Sequence, residues 1–226
     1  MTIPLVVVGA GGFGRETLDV IEAINAVDPV PRYEILGVID SRPSLQNLQR
    51  LADRRINYLG TESDWLPRAP NAQFVVGIGS PSLRQLVAER FAQLGFMAAT
   101  LVHPAAGIGT LSRIAAGSII CAGVQVSTNV HLGRHVHLNA NSTVGHDSFL
   151  ADFVSVNPGA IVSGEVRVET GCLLGAGSVV LQGLTVAAEA VVGAAACVTR
   201  DVPGGATVVG VPARPQTPNG SQTVLR

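Results

Sequence analysis

The segment Asn139-Ala-Asn-Ser-Thr-Val-Gly-His-Asp147 sets an imidazole directly beside a carboxylate. An imidazole changes charge near neutral pH, so it can take a proton from an attacking amine or hydroxyl. A carboxylate on the other ring nitrogen fixes the tautomer and stabilises the imidazolium. In isolation such a histidine is ordinarily a solvated surface residue. A second constellation lies near the start, where Leu5–Val8 runs into Gly9-Ala-Gly-Gly-Phe-Gly14. Backbone N–H groups of a glycine turn at a helix start suit a pyrophosphate. Asp40, 26 residues past Gly14, offers a carboxylate to a ribose or a uracil edge. A nicotinamide dinucleotide is the simplest ligand of that pattern, but one hundred residues give only half of the usual doubly wound domain. A turn with no ligand is the other reading.

The elements that position these groups follow from periodicity. Every sixth residue from Val102 to Val198 is Val, Ile or Leu, seventeen positions without exception. That period fits neither a helix nor a plain strand. It fits a three-sided coil with six residues per side and eighteen per turn, neighbouring coils stacking at roughly 4.8 Å. The fourth residue past each anchor, as at Ser118, Val124, Val136, Ala160 and Cys172, is small or aliphatic and is expected inside. The residue just past the anchor is often small, which the tight corners are expected to require. His146 lies two past Val144 and should project outward. Gly164 lies one coil above it. A side chain there would block the imidazole, whereas a bare amide could stabilise an oxyanion.

Ahead of the coils, strands at Leu5–Val8, Glu34–Ile39 and Phe74–Ile78 alternate with helical stretches that include Ser82–Leu94. Thr61-Glu-Ser-Asp64 can cap a short helix. Alternation of this kind implies a parallel sheet with ligands at the C-terminal strand ends, where the glycine turn, Asp40 and Gly79 fall. The expected fold is an α/β Rossmann-like half-domain over residues 1–101, followed by a parallel β-helix over 102–214. Residues 215–226, rich in Pro, Thr, Asn, Gly and Ser, are expected to form a disordered tail.

Composition narrows the function. Net charge is −1 and all fifteen basic residues are arginine, which argues against nucleic acid or an anionic membrane as partner. Three cysteines at irregular spacing make neither a disulfide framework nor a zinc motif. The start lacks a basic leader, and the apolar stretch Leu184–Val198 is read as the last coils rather than a membrane span. A cytoplasmic protein is expected.

The repeat resembles the hexapeptide-repeat acyltransferases, whose coils wind as left-handed parallel β-helices, and Val208-Val-Gly-Val-Pro-Ala-Arg214 looks like their closing motif. The α/β part joined to such a β-helix resembles the bacterial sugar acyltransferase family, which includes sialic-acid O-acetyltransferases and UDP-4-amino-sugar N-acetyltransferases. The resemblance spans roughly residues 4–214. It implies an acetyl-CoA-dependent homotrimer with sites between subunits, no metal, and a nucleotide sugar held by the first domain. It assigns His146 as base, Asp147 as its support and Gly164 as oxyanion donor. It places acetyl-CoA along Ser155, Ala176 and Ala194; Arg200 and Arg214 are candidates for the CoA phosphates from charge alone. It places the acceptor at Gly11, Gly12, Phe13, Asp40, Ser41, Gly79 and Asn139.

The chain departs from the family at four places. Many members have histidine at the positions of Phe13 and Ser155, and the N-acetyltransferase pattern favours a second acid at Ser41 and asparagine near Ser80. His137 could stand in for the missing histidine near the donor, although a surface role fits it better. Other readings keep the fold. The acceptor could be a hydroxyl, as in sialic-acid O-acetylation. His131, His137 and His146 could meet on a zinc ion across an interface. The chain could also bind a nucleotide sugar without catalysis.

Overall fold

A computed structural model describes residues 2–27, 29–68 and 71–216. The chain opens with a parallel three-stranded sheet in the order β2-β1-β3, where β1 is Ile3–Val8, β2 Tyr33–Ile39 and β3 Gln73–Val76. Helix α1 (Gly12–Asn25) follows β1, and α4 (Pro81–Gln93) follows β3. Between them lie α2 (Leu45–Asp53) and the single turn α3 (Glu62–Trp65), the latter closed by a full capping box from Thr61 and Asp64. Sequence periodicity missed α2. Its signals are weak ones: Ser44 as an N-cap accepting from the Asn47 amide, and leucines at 45, 48 and 51, of which Leu51 is buried.

From Leu101 the chain winds as a parallel β-helix. Two-residue strands recur every six residues and pair in parallel with the strand eighteen residues on, as His137 does with Ser155 and Thr143 with Ile161. Three stacks of strands form the sides. Anchors from Ile120 to Val198 are buried and, with Val124, Val136, Ala160 and Cys172, make a continuous aliphatic core. The apolar stretch Leu184–Val198 resolves into three such strands, and among the described residues no helix is long and apolar enough to cross a membrane.

The corners are built differently from the sequence expectation. From Leu111 to Ala195 the third residue past each anchor, not the first, carries the left-handed backbone, with φ between +54° and +79°. Leu111, Phe153 and Glu165 adopt it as well as glycine and asparagine, a strain that the stacked coils hold in place. The residue just past the anchor is small for another reason, close approach of the next coil. A Cβ on Gly145 would stand 2.4 Å from the Gly164 nitrogen, and one on Gly175 2.5 Å from the Ala194 nitrogen.

At its far end Val208–Arg214 turns back. Arg214–Pro215 pairs antiparallel with Thr207–Val209, and the Gln216 amide donates to the Thr207 carbonyl at 2.7 Å. Pro215 and Gln216 are thus ordered, contrary to the expected start of a disordered tail, because this hairpin caps the open end of the β-helix. Residues 217–226 lie outside those described. The two parts share their cores. Leu18, Ile21 and Ile24 of α1 join Leu101, Ile119 and Ile120 of the coils, while Phe153 packs among Phe74, Phe91 and Trp65.

Candidate active site

His146 and Asp147 follow the strand Thr143–Val144 at a corner of the prism, with side chains 50% and 47% exposed. Asp147 holds the left-handed conformation, φ 61°, which an aspartate tolerates. Its carboxylate folds back on the preceding ring: His146 Nδ1 donates to Asp147 Oδ2 at 2.7 Å. Asn129, one coil below, donates from Nδ2 to Asp147 Oδ1 at 3.0 Å. The imidazole and the Asn129 amide together hold the Asp147 carboxyl below the usual range. With Nδ1 carrying a proton, the neutral ring presents Nε2 as its acceptor. Sequence reasoning missed Asn129. The signal was its position eighteen residues before Asp147.

Nε2 points at bare backbone. A Cβ on Gly164 would lie 2.6 Å from His146 Nε2 and 2.7 Å from Cε1. The Gly164 amide makes no backbone hydrogen bond among the described residues, whereas the amides on either side of it are used. An imidazole acceptor and an uncommitted N–H therefore share one corner. The chemistry available is deprotonation of an attacking group with stabilisation of a developing oxyanion.

Arg200 stands on the same corner three coils on, roughly 14 Å from His146 at 4.8 Å per coil. It lines a cavity of about 230 Å³ together with Arg214, so both arginines named for the CoA phosphates border one hollow at the capped end. Ala176 and Ala194 are exposed and stacked on each other, but at a different corner, after Leu173–Leu174 and Val191–Val192. One chain does not bring them to His146.

The acceptor residues converge at the C-terminal ends of the first sheet. Gly11, Gly12, Phe13, Asp40, Ser41 and Gly79 line one cavity of about 270 Å³, with Glu62 on its wall. Gly9 and Gly14 make the glycine turn possible. Gly9 has φ 113°, and a Cβ on Gly14 would fall 1.8 Å from the Gly9 carbonyl. The Asp40 carboxylate braces this turn. It accepts from the Ala10 amide at 2.8 Å and from the Arg42 amide at 2.8 Å, so its role is at least partly internal rather than directed at a ribose or uracil alone.

Three expectations are corrected. Ser155 does not lie open along a donor groove; it is 2% exposed and sits under the first domain, bonded to Arg84. Asn139 is buried, its amide spent on the Val156 carbonyl and Asn157 Oδ1. His137 is not a surface residue but 1% exposed, its ring 4.6 Å from that of Phe13 and its Nδ1 3.1 Å from Arg84 Nη1. The burial of Ser155 and His137 follows from one fact: the α/β part covers that side of the β-helix. His131, His137 and His146 face three different directions, and no trio of metal-ligating side chains converges among the described residues.

A β-helix that presents an imidazole–carboxylate pair below an open amide defines an acyltransferase of the hexapeptide-repeat type. Known proteins share the fold and much of the sequence. Residues 4–91 match the family described as the PglD N-terminal domain. The chain is 33% identical over 214 residues to the GDP-perosamine N-acetyltransferase of Escherichia coli O157:H7, covering 91% of this chain and 93% of that one. The acetyltransferase domain of PglB from Neisseria gonorrhoeae FA1090, in complex with acetyl coenzyme A, superposes with a TM-score of 0.83 at 31% identity over 96% of this chain and 100% of that one. PerB from Caulobacter crescentus, in complex with CoA and GDP-perosamine, gives 0.82 at 26% identity over 95% and 97%. The chain belongs to the bacterial sugar acyltransferase family of the hexapeptide-repeat superfamily.

Proposed function

We propose that the protein transfers the acetyl group of acetyl-CoA to the amine of a nucleotide-linked amino sugar. The observation that carries this reading is His146 Nε2 facing the bare Gly164 backbone on a β-helix joined to a glycine-turn cleft. The relatives that bind CoA together with GDP-perosamine support the pairing of donor and acceptor. The amine lone pair attacks the thioester carbon, and the Gly164 N–H steadies the oxyanion. His146 Nε2 takes the ammonium proton, the C–S bond breaks, and the CoA thiolate departs with that proton or one from water. Asp147 holds the ring throughout. No covalent enzyme intermediate and no metal enter the sequence of steps.

The nucleotide diphosphate lies on the Gly11–Gly12 turn and α1, and the sugar extends past Phe13 toward the coils. Acetyl-CoA runs from His146 toward Arg200 and Arg214. Because Ala176 and Ala194 occupy another corner, a donor that touches them as well spans two copies of the chain, which favours a homotrimer with sites between subunits. We place the enzyme in the cytoplasm, with its acetyl donor.

The test is thiol release from acetyl-CoA with GDP-, UDP- and dTDP-linked 4-amino sugars and with sialic acid as acceptors. Release with an amino sugar is expected. Release with sialic acid alone would establish O-acetylation in its place, and release with none would reject the acetyltransferase reading.

A further inference from the structure

Arg84 lies in the first turn of α4, wholly buried, and makes no ion pair with a carboxylate among the described residues. Its partners are neutral. Nη1 reaches the carbonyls of Ile78 at 2.9 Å and Gly79 at 3.2 Å, and His137 Nδ1 at 3.1 Å. Nη2 donates to the Phe153 carbonyl at 2.7 Å and to Ser155 Oγ at 2.9 Å. The Ser155 hydroxyl in turn donates to the Gly79 carbonyl at 3.3 Å. Burial lowers the guanidinium pKa to about 9, so it stays protonated at neutral pH. Arginine always donates, so His137 Nδ1 accepts and the ring carries its proton on Nε2.

A buried cation without a counter-ion is a costly way to join two domains, since an apolar contact of similar size would hold them as well or better. What it adds is geometry, because a planar fork fixes several acceptors at once. Those acceptors tie the cleft to the coils. Ile78 and Gly79 line one wall of the acceptor cavity, and Phe13, packed on His137, lines another. His137 and His146 belong to the same coil. The turn between them is closed by the Ser142 amide on the Asn139 carbonyl at 3.1 Å and by Asn139 on the next coil.

We infer that Arg84 is a positioning residue: with Ser155 and His137 it sets where the acceptor cleft stands relative to the coil that carries His146. The inference rests on the acetyl-transfer reading above. Displacement of a reacting amine by about 1 Å is enough to cost on the order of 10²-fold in rate without weakening its binding.

Full-length Arg84→Met, Arg84→Lys and Ser155→Ala proteins test this. For Arg84→Met, kcat with the best amino-sugar acceptor is expected to fall on the order of 10²-fold. Acceptor Kd by calorimetry and KM for acetyl-CoA should stay within about threefold of wild type, and Arg84→Lys should recover about tenfold of the lost rate. An Arg84→Met protein that melts earlier yet keeps its kcat shows domain glue alone and overturns the inference. A loss confined to acceptor Kd, or to KM for acetyl-CoA, also overturns it. If Arg84→Met does not fold, Ser155→Ala decides. A severalfold drop in kcat at unchanged melting midpoint and unchanged KM for acetyl-CoA supports positioning, and a wild-type kcat rejects it. A wild-type protein that acetylates no nucleotide-linked amino sugar removes the activity reading and this inference together, whereas an active wild type with unaltered variants removes only the inference.

Discussion

The corner that carries His146 and the seam that carries His137 are parts of one coil with opposite environments. His146 is half exposed, bonded to a carboxylate, and has a free nitrogen facing open backbone. His137 is buried, faces an arginine and packs on Phe13. Burial and the nearby guanidinium drive the His137 pKa well below its ordinary value, so that ring stays neutral. The same side chain is thus arranged as a proton acceptor in one place and as a fixed acceptor of a hydrogen bond in the other. Geometry around the ring, not residue type, separates chemistry from architecture.

The largest expected effect tests the corner. His146→Ala should lower kcat by about 10²- to 10⁴-fold, the usual range for a lost general base. The melting midpoint should not move, because the side chain is half exposed. An unchanged kcat would take His146 out of the mechanism. Gly164→Ala comes next. Its Cβ would overlap the imidazole at 2.6 Å, so the ring must leave its place, and kcat should fall on the order of 10²-fold with the fold intact. Normal activity in this variant would mean that Nε2 does not work where it now points.

Acidification should separate the two places by stability. His135 stacks on Phe153 in the same seam. Burial, with Arg84 and Arg134 adding to it, pushes its pKa down to about 4, from 6.5. The unfolded chain takes up this proton near pH 6.5 and the folded one only near 4. The stabilisation is therefore complete above about 6.5 and lost as pH falls toward 4, a change on the order of 3 kcal/mol. His137 acts in the same direction. Chemical denaturation from pH 7.5 to 4.5 should show this fall, and His135→Phe should make it shallower while leaving the share due to His137. A His135→Phe protein with the full slope would place the titration elsewhere.

How far the sequence reveals these places depends on how local each one is. The coils were legible because every anchor repeats the same six-residue rule, and the His146–Asp147 pair because its partners are adjacent in the chain. Gly164 and Asn129 are one coil away, and the eighteen-residue period reaches them. The left-handed corner residues were not legible, since leucine, phenylalanine and glutamate serve there as well as glycine. The seam was missed for a stronger reason. Arg84 reads as an ordinary helix-surface charge until α4 meets a strand 71 residues away. Burial of His137 and Ser155 likewise depends on which side of the prism the first domain covers. Leu101 and Ile119, apolar at the outward position of that same side, were the available signal.

The smallest effect concerns how exposed the corner is when the enzyme works. Asp147→Asn keeps an oxygen that can accept from His146 Nδ1 but removes the charge that favours the imidazolium. In a solvated pair, where water screens that charge, kcat should fall about tenfold with KM for acetyl-CoA unchanged. Asn129→Ala, which only loosens the carboxylate, should cost a few-fold at most. If Asp147→Asn proved as damaging as His146→Ala, the charge would be acting in a site closed to water. A single chain leaves both side chains about half exposed, so the closure would have to come from the donor and a second copy of the chain. Comparing the two rate losses thus measures how much of the active corner is supplied from outside this subunit.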